Sequence, residues 1–271
     1  MLPLVIVRPI HFASNMAAAE KRLRALGLIC IEGVMNPGVA GEKNADWLVF
    51  EAPAGGRVAI HRADTGSERD GVTQLGFEVA NMEALKALAD IFNENPGTAQ
   101  ATLADTNDGP TLQITAKDGL KFAVNIAVTQ LSDREPAQGV EVAQMWFTDD
   151  VAAARDILLK LGHTELVTTK RFGWDDTRAT GGGRTQLHEG ACQPRVSVGF
   201  MSAIPLEELQ PQAEKAGEEA AIVDEAWGRY LALPPISNTE TKTGLDGELT
   251  WVNEEQSDYY GYQVIQDPTS R

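Results

Sequence analysis

The chain has 271 residues, 43% hydrophobic and 23% charged, enough apolar material for two cores of ordinary size. A formal charge of −16 disfavours nucleic acid and anionic membranes, since both are bound through cationic side chains. No run approaches the roughly 18 apolar residues of a membrane span. Met1-Leu-Pro-Leu-Val-Ile-Val reads as a strand rather than a signal peptide, and the two distant cysteines, Cys30 and Cys192, fit a reduced, cytoplasmic setting.

In chain order, a strand over residues 5–13 leads to Asn15, whose side chain can accept from the free N–H groups of a helix start. Met16, Ala19, Leu23 and Leu26 then recur at helical spacing, and Gly27 provides the left-handed stop. Strand-like runs follow at 28–34, 46–52 and 56–62. Gln74-Leu-Gly-Phe-Glu-Val-Ala opens a second copy of this plan: Asn81 is the cap, and Met82, Leu85, Leu88 and Phe92 form the apolar face of the helix. Strands at 99–104, 111–115 and 120–127 complete it. Residues 128–139, rich in Gln, Ser, Asp, Glu and Pro, read as a linker.

Val140-Glu-Val-Ala-Gln-Met-Trp-Phe-Thr-Asp-Asp-Val-Ala-Ala-Ala then repeats the first segment at an offset of 135 residues, with Asp150 as cap and Gly162 in place of Gly27. A fourth, weaker copy starts at Arg195-Val-Ser-Val-Gly-Phe-Met, with a helix near 205–216 that Pro211 should shorten or kink. The plan is β-α-β-β-β four times, an α+β chain of two paired-module domains at 1–127 and 140–271. Asp258-Tyr-Tyr-Gly-Tyr-Gln-Val-Ile is an extra strand or the final strand of the second domain.

Four β-α-β-β-β units in two pairs resemble the vicinal oxygen chelate superfamily of glyoxalases, extradiol dioxygenases, fosfomycin-modifying enzymes and bleomycin-sequestering proteins. The matching residues are the helix starts Asn15-Met-Ala and Asp150-Val-Ala, Leu75-Gly-Phe-Glu-Val-Ala-Asn-Met, Lys117-Asp-Gly-Leu-Lys-Phe and Asp224-Glu-Ala-Trp-Gly-Arg. The resemblance implies half-open barrels whose concave faces hold two histidines and a glutamate around Fe²⁺, Mn²⁺, Ni²⁺ or Zn²⁺, with positions left open for substrate oxygens.

Carried over position by position, the first-strand ligand falls at Arg8, Gln74, Ala143 and Ser197, and the last-strand glutamate at Ala123 and Trp251. Only Gln74 can ligate, so the expectation is that no cofactor is held. His61 and His188 fall at the ends of fourth strands, and His188 with Glu189 is the alternative metal pair. His11 is expected to be packed or half-exposed and His163 exposed. Gly181-Gly-Gly is read as a turn, and Cys30 as a small buried hydrophobe. Arg8, His61, Gln74, Trp146, His188, Trp227 and Trp251 are the pocket candidates, since tryptophans and a cation suit a flat ligand.

Three functions remain open: a metal-free protein, monomer or homodimer, that binds a small hydrophobic or aromatic molecule; a metal-dependent lyase, isomerase or dioxygenase; and a scaffold whose concave faces are filled by its own side chains.

Overall fold

The computed structural model describes residues 2–33, 46–106, 109–129, 137–169, 171, 173–190, 193–225, 228–236, 249–255 and 262–266. The first repeat gives β1 (Val5–Val7), β2 (Ile10–Ala13), α1 (Met16–Ala25), β3 (Ile29–Glu32), β4 (Trp47–Glu51) and β5 (Arg57–Arg62). The second gives β6 (Thr73–Gln74), β7 (Gly76–Val79), α2 (Met82–Glu94), β8 (Ala99–Thr106), β9 (Gly109–Ala116) and β10 (Lys121–Ile126). The third gives β11 (Val140–Thr148), α3 (Val151–Lys160), β12 (His163–Thr169), β13 (Trp174–Ala179) and β14 (Arg184–Glu189). The fourth gives β15 (Arg195–Ser202), α4 (Leu206–Lys215), β16 (Ala221–Glu225), β17 (Gly228–Leu233) and β18 (Thr250–Glu254), with β19 (Tyr262–Val264) after it. The chain is α+β, and its sheets do not close into barrels.

The capping residues act as their chemistry dictates. Asn15, Asn81 and Asp150 accept through their side chains from the backbone N–H of Ala18, Ala84 and Ala153. Pro211 does not end α4, which continues to Lys215; a proline removes one bond of the ladder, and Leu206, Leu209 and Ala213 anchor the helix by burial.

The strand expected over residues 5–13 is broken at Arg8-Pro9. Proline has no N–H for the ladder, so β1 pairs with β7 while β2 pairs with β5. The first half therefore holds two five-stranded sheets, β1-β7-β10-β9-β8 and β3-β4-β5-β2-β6. The second half has no such proline. Its β11 runs unbroken between β14 and β15, in one nine-stranded sheet β16-β17-β18-β15-β11-β14-β13-β12-β19. β19 lies on the edge beside β12, which makes β18 the strand next to β15.

Helices pack on one face of these sheets and on each other across the halves, α1 with α4 and α2 with α3. The apolar residues of both halves merge into one buried cluster reaching from Val5 to Val252. Arg22 of α1 bonds Glu218 at 2.9 Å, and Trp146 of the second half donates its indole N–H to Asp118 of the first at 2.9 Å.

Two glycine turns interlock the halves. Gly55 O accepts from Val142 N (2.9 Å), and Gly182 O accepts from Val7 N (3.1 Å), so each half's turn caps the other's first strand. A Cβ on Gly183 would lie 2.6 Å from Val7 Cβ and 3.0 Å from Gly56 Cα, at φ +85. Gly183→Val should therefore destabilise the fold by about 1–3 kcal/mol or more, read as a lowered urea midpoint. A cost within ~0.5 kcal/mol, the range of an ordinary surface change, would show that the interlock yields freely.

Candidate functional site

Alternation along the strands separates a helix-facing side from a concave side. On β11, Val140, Val142 and Trp146 join the core, which leaves Glu141, Ala143, Met145 and Phe147 on the concave side. The register carries that side across the sheet. Ala143 pairs with Arg184 on β14 and with Gly199 on β15, and Phe200 opposite Val252 sets Trp251 beside Gly199. Arg184, Ala143, Gly199 and Trp251 thus form one row over four adjacent strands. Ser197 faces Met145, one pleat from Ala143.

A buried arginine organises each concave face. Arg184 bonds Glu141 at 2.9 Å, Asp176 at 2.8 Å and the carboxylate of Glu255. Burial opposes its charge, but Asp176, Glu141 and Glu255 hold its pKa well above the ordinary value. Burial also raises Asp176 to about 6, with Arg184 opposing. In the first half, Arg57 occupies the matching place, bonding Glu78 at 2.8 Å and Glu51 at 2.9 Å.

The two floors differ. In the first half Arg8 lies along the row, paired with Glu78 at 2.8 Å, donating to Asn125 at 2.9 Å and set 5.3 Å from the Trp47 ring. In the second, Ala143 takes the place of Arg8, next to Gly199 as Arg8 is next to Gly76. Beside Gly199 stands Trp251, its ring 6.0 Å from that of Tyr230 and its Nε1 buried without a hydrogen-bond partner.

At the rim the halves match again. His61 lies 5.2 Å from Phe12 and 5.8 Å from Trp47, and His188 lies 5.5 Å from Phe147 and opposite Trp174 across the strands. An arginine covers each phenylalanine, Arg69 at 4.2 Å and Arg195 at 3.8 Å. His61 Nδ1 donates to Arg62 O, and His188 Nδ1 to Glu189 O. Each Nε2 is left as an acceptor.

Of the sequence candidates, Arg8, His61, His188 and Trp251 lie on concave faces or their rims. Gln74 is exposed on the short β6, so it does not enter the first face. Trp146 is fully buried on the helix side, where an alternating strand places the neighbours of Met145, and it is a core residue rather than a pocket wall. His163 is buried rather than exposed: it meets the Phe77 ring edge-on at 5.5 Å and bonds Thr177. His11 is buried against Thr73. Glu189 closes β14 as an exposed residue. Trp227, Cys192 and most of the expected linker lie outside the described residues.

Position-by-position reading missed Arg57, Arg184 and their carboxylates. A second repeat carried the signal: Trp47, Arg57 and His61 recur as Trp174, Arg184 and His188 at a constant offset of 127.

Among the described residues no group of three or more His, Cys, Asp or Glu stands ready to hold an ion. The row of Arg184, Ala143, Gly199 and Trp251 offers neither imidazole nor carboxylate, and its guanidinium would repel a cation, so these residues do not fit a divalent metal.

No protein-family model matches the chain, and no curated protein does. Solved structures do. A catechol 2,3-dioxygenase matches with TM-score 0.58 and 15% identity over 94% of this chain and 89% of its own. The 2,3-dioxygenase LapB from Pseudomonas sp. KL28 matches with TM-score 0.58 and 11% identity over 98% of each chain. A Mn(II)-bound glyoxalase from Novosphingobium aromaticivorans matches with TM-score 0.55 and 12% identity over 93% of this chain and 82% of its own. The expectation of no cofactor is corrected by this last likeness, since the fold houses a divalent metal there. Six sequence positions sampled one way of holding an ion, and carboxylates that reach the concave faces from other strands were not among them. The chain has the fold of extradiol dioxygenases and a glyoxalase.

Proposed function

We propose that the concave face of the second half binds a small, flat aromatic molecule bearing a hydroxyl group. One observation carries the reading: Trp251, set beside Gly199 and Ala143 on that face, keeps a buried indole N–H unpaired. Leaving such a donor unmet costs roughly 1–3 kcal/mol, which a ligand oxygen would recover. The Trp251 and Tyr230 rings offer stacking surface beside that N–H. The likeness to proteins named for catechol supports an aromatic ligand.

The reading includes two domains, 1–127 and 140–271, supported by strands that pair only within their own half. It also includes a cytoplasmic location, supported by the free thiol of Cys30. No helix among the described residues is long and apolar enough to cross a membrane.

Titration with catechol, followed by tryptophan fluorescence, should saturate. Trp251→Phe, which keeps an aromatic ring and removes the N–H, should weaken binding about 3–10-fold, the share of one neutral hydrogen bond, when measured by calorimetry. An unsaturable response, or unchanged affinity in the variant, sinks the reading.

A further inference from the structure

The rim of the first half repeats that of the second although its floor is filled. Phe12, Trp47 and His61 stand to one another as Phe147, Trp174 and His188 do: paired strands bring the tryptophan opposite the histidine, and the histidine ring tilts at 41° to the phenylalanine in both. Both histidines have Nδ1 tied to a neighbouring carbonyl, which fixes the tautomer and turns Nε2 into the acceptor. A core would be served by apolar packing alone, without a fixed imidazole tautomer at each mouth.

The first rim carries a charge of its own, as Arg195 gives the second. Arg69 is exposed, its guanidinium lies 4.2 Å above the Phe12 ring, and that guanidinium makes no hydrogen bond or ion pair among the described residues. Stacking on the ring pre-orders the guanidinium, whose fork of donors matches a carboxylate. Arg8 and Glu78 close the trough beneath, so a ligand here lies flat across the mouth rather than entering it.

We propose that the first half carries a second, shallower binding site at Phe12, Trp47, His61 and Arg69 for a planar aromatic carboxylate. Its aromatic character rests on the reading of the second half given above; its charge preference rests on Arg69 alone. The carboxylate pairs with the guanidinium, the ring meets Trp47, and a ring hydroxyl donates to His61 Nε2.

The test is equilibrium dialysis of the full chain with 4-hydroxybenzoate, comparing the wild type with Arg69→Gln, His61→Ala and Trp251→Phe. Arg69 is exposed, so its replacement leaves the fold intact, which circular dichroism verifies. The expected result is two molecules per chain, with the weaker site lost in Arg69→Gln and His61→Ala and the stronger weakened only in Trp251→Phe. One molecule per chain, indifferent to Arg69→Gln, overturns this inference and leaves the second-half reading standing. One molecule lost in Arg69→Gln but indifferent to Trp251→Phe supports this site and overturns the other. No binding at all overturns both.

Discussion

Arg184→Ala should cost roughly 3–5 kcal/mol of folding stability, because it strips the guanidinium from buried carboxylates instead of removing a whole ion pair. Glu141 would keep Arg178, which meets it at 3.2 Å, but among the described residues Asp176 has no other cation that pairs with it. Asp176 is already raised to about 6 by burial and would climb further, so the loss should shrink as the pH is lowered and its carboxyl takes a proton. Arg178→Ala is the control. That side chain is 16% exposed, and its loss leaves Arg184 in place, so about 1 kcal/mol is expected. Urea unfolding at pH 7.5 and 5.5 checks both. Combining Arg184→Met with Glu141→Gln and Asp176→Asn should restore most of the stability, since no buried charge is then unpaired. A cost for Arg184→Ala near that of Arg178→Ala would show that solvent reaches the network.

Acid should weaken the fold, and the sign follows from the buried histidines. Burial lowers His163 to about 3 and His11 to about 4, from an ordinary value of 6.5. Thr177 Oγ1 donates to Thr185 O, so it accepts from His163 Nδ1, and the Nε2 left over is buried without a partner. Below pH 6.5 the unfolded chain takes protons that these two residues refuse, and stability falls with pH until about pH 4 for His11 and pH 3 for His163.

Asp176 opposes them. Its folded pKa of about 6 lies above the ordinary 3.8, so between those values the native state binds the extra proton and gains stability as pH falls. Asp175, also raised by burial, acts in the same sense. From pH 6 to 4 the unfolding free energy should drop by at most about 1.4 kcal/mol per unit, the equivalent of one net proton. Asp176→Asn removes the main opposing group and should steepen the slope towards twice that. A flat profile in the wild type between pH 6.5 and 4 would mean that the imidazoles reach solvent.

The repeat, the caps and the helix faces were legible because each depends on neighbours within a few residues. Asn15, Asn81 and Asp150 sit where a free N–H needs an acceptor, and the offset of 135 carried the plan from one half to the other. Pro9 could have been read as well, since a residue without an N–H in a central strand signals a break. The positions Ala143 and Trp251 came from the family resemblance, counted from the cap Asp150 and from the turn Asp246-Gly247.

What filled those faces was decided only in three dimensions. Glu141, Asp176 and Glu255 come from three separate segments, and nothing in their spacing says that they converge on Arg184. His163 could not be recognised as buried, because the ring that covers it, Phe77, lies 86 residues away in the other half. The sequence by itself determined the scaffold, since local periodicity and capping fix strands and helices. The tertiary structure alone decided that Arg184 stands beside Ala143, held there by three carboxylates from distant segments. Charge pairing and side-chain volume act through space rather than along the chain.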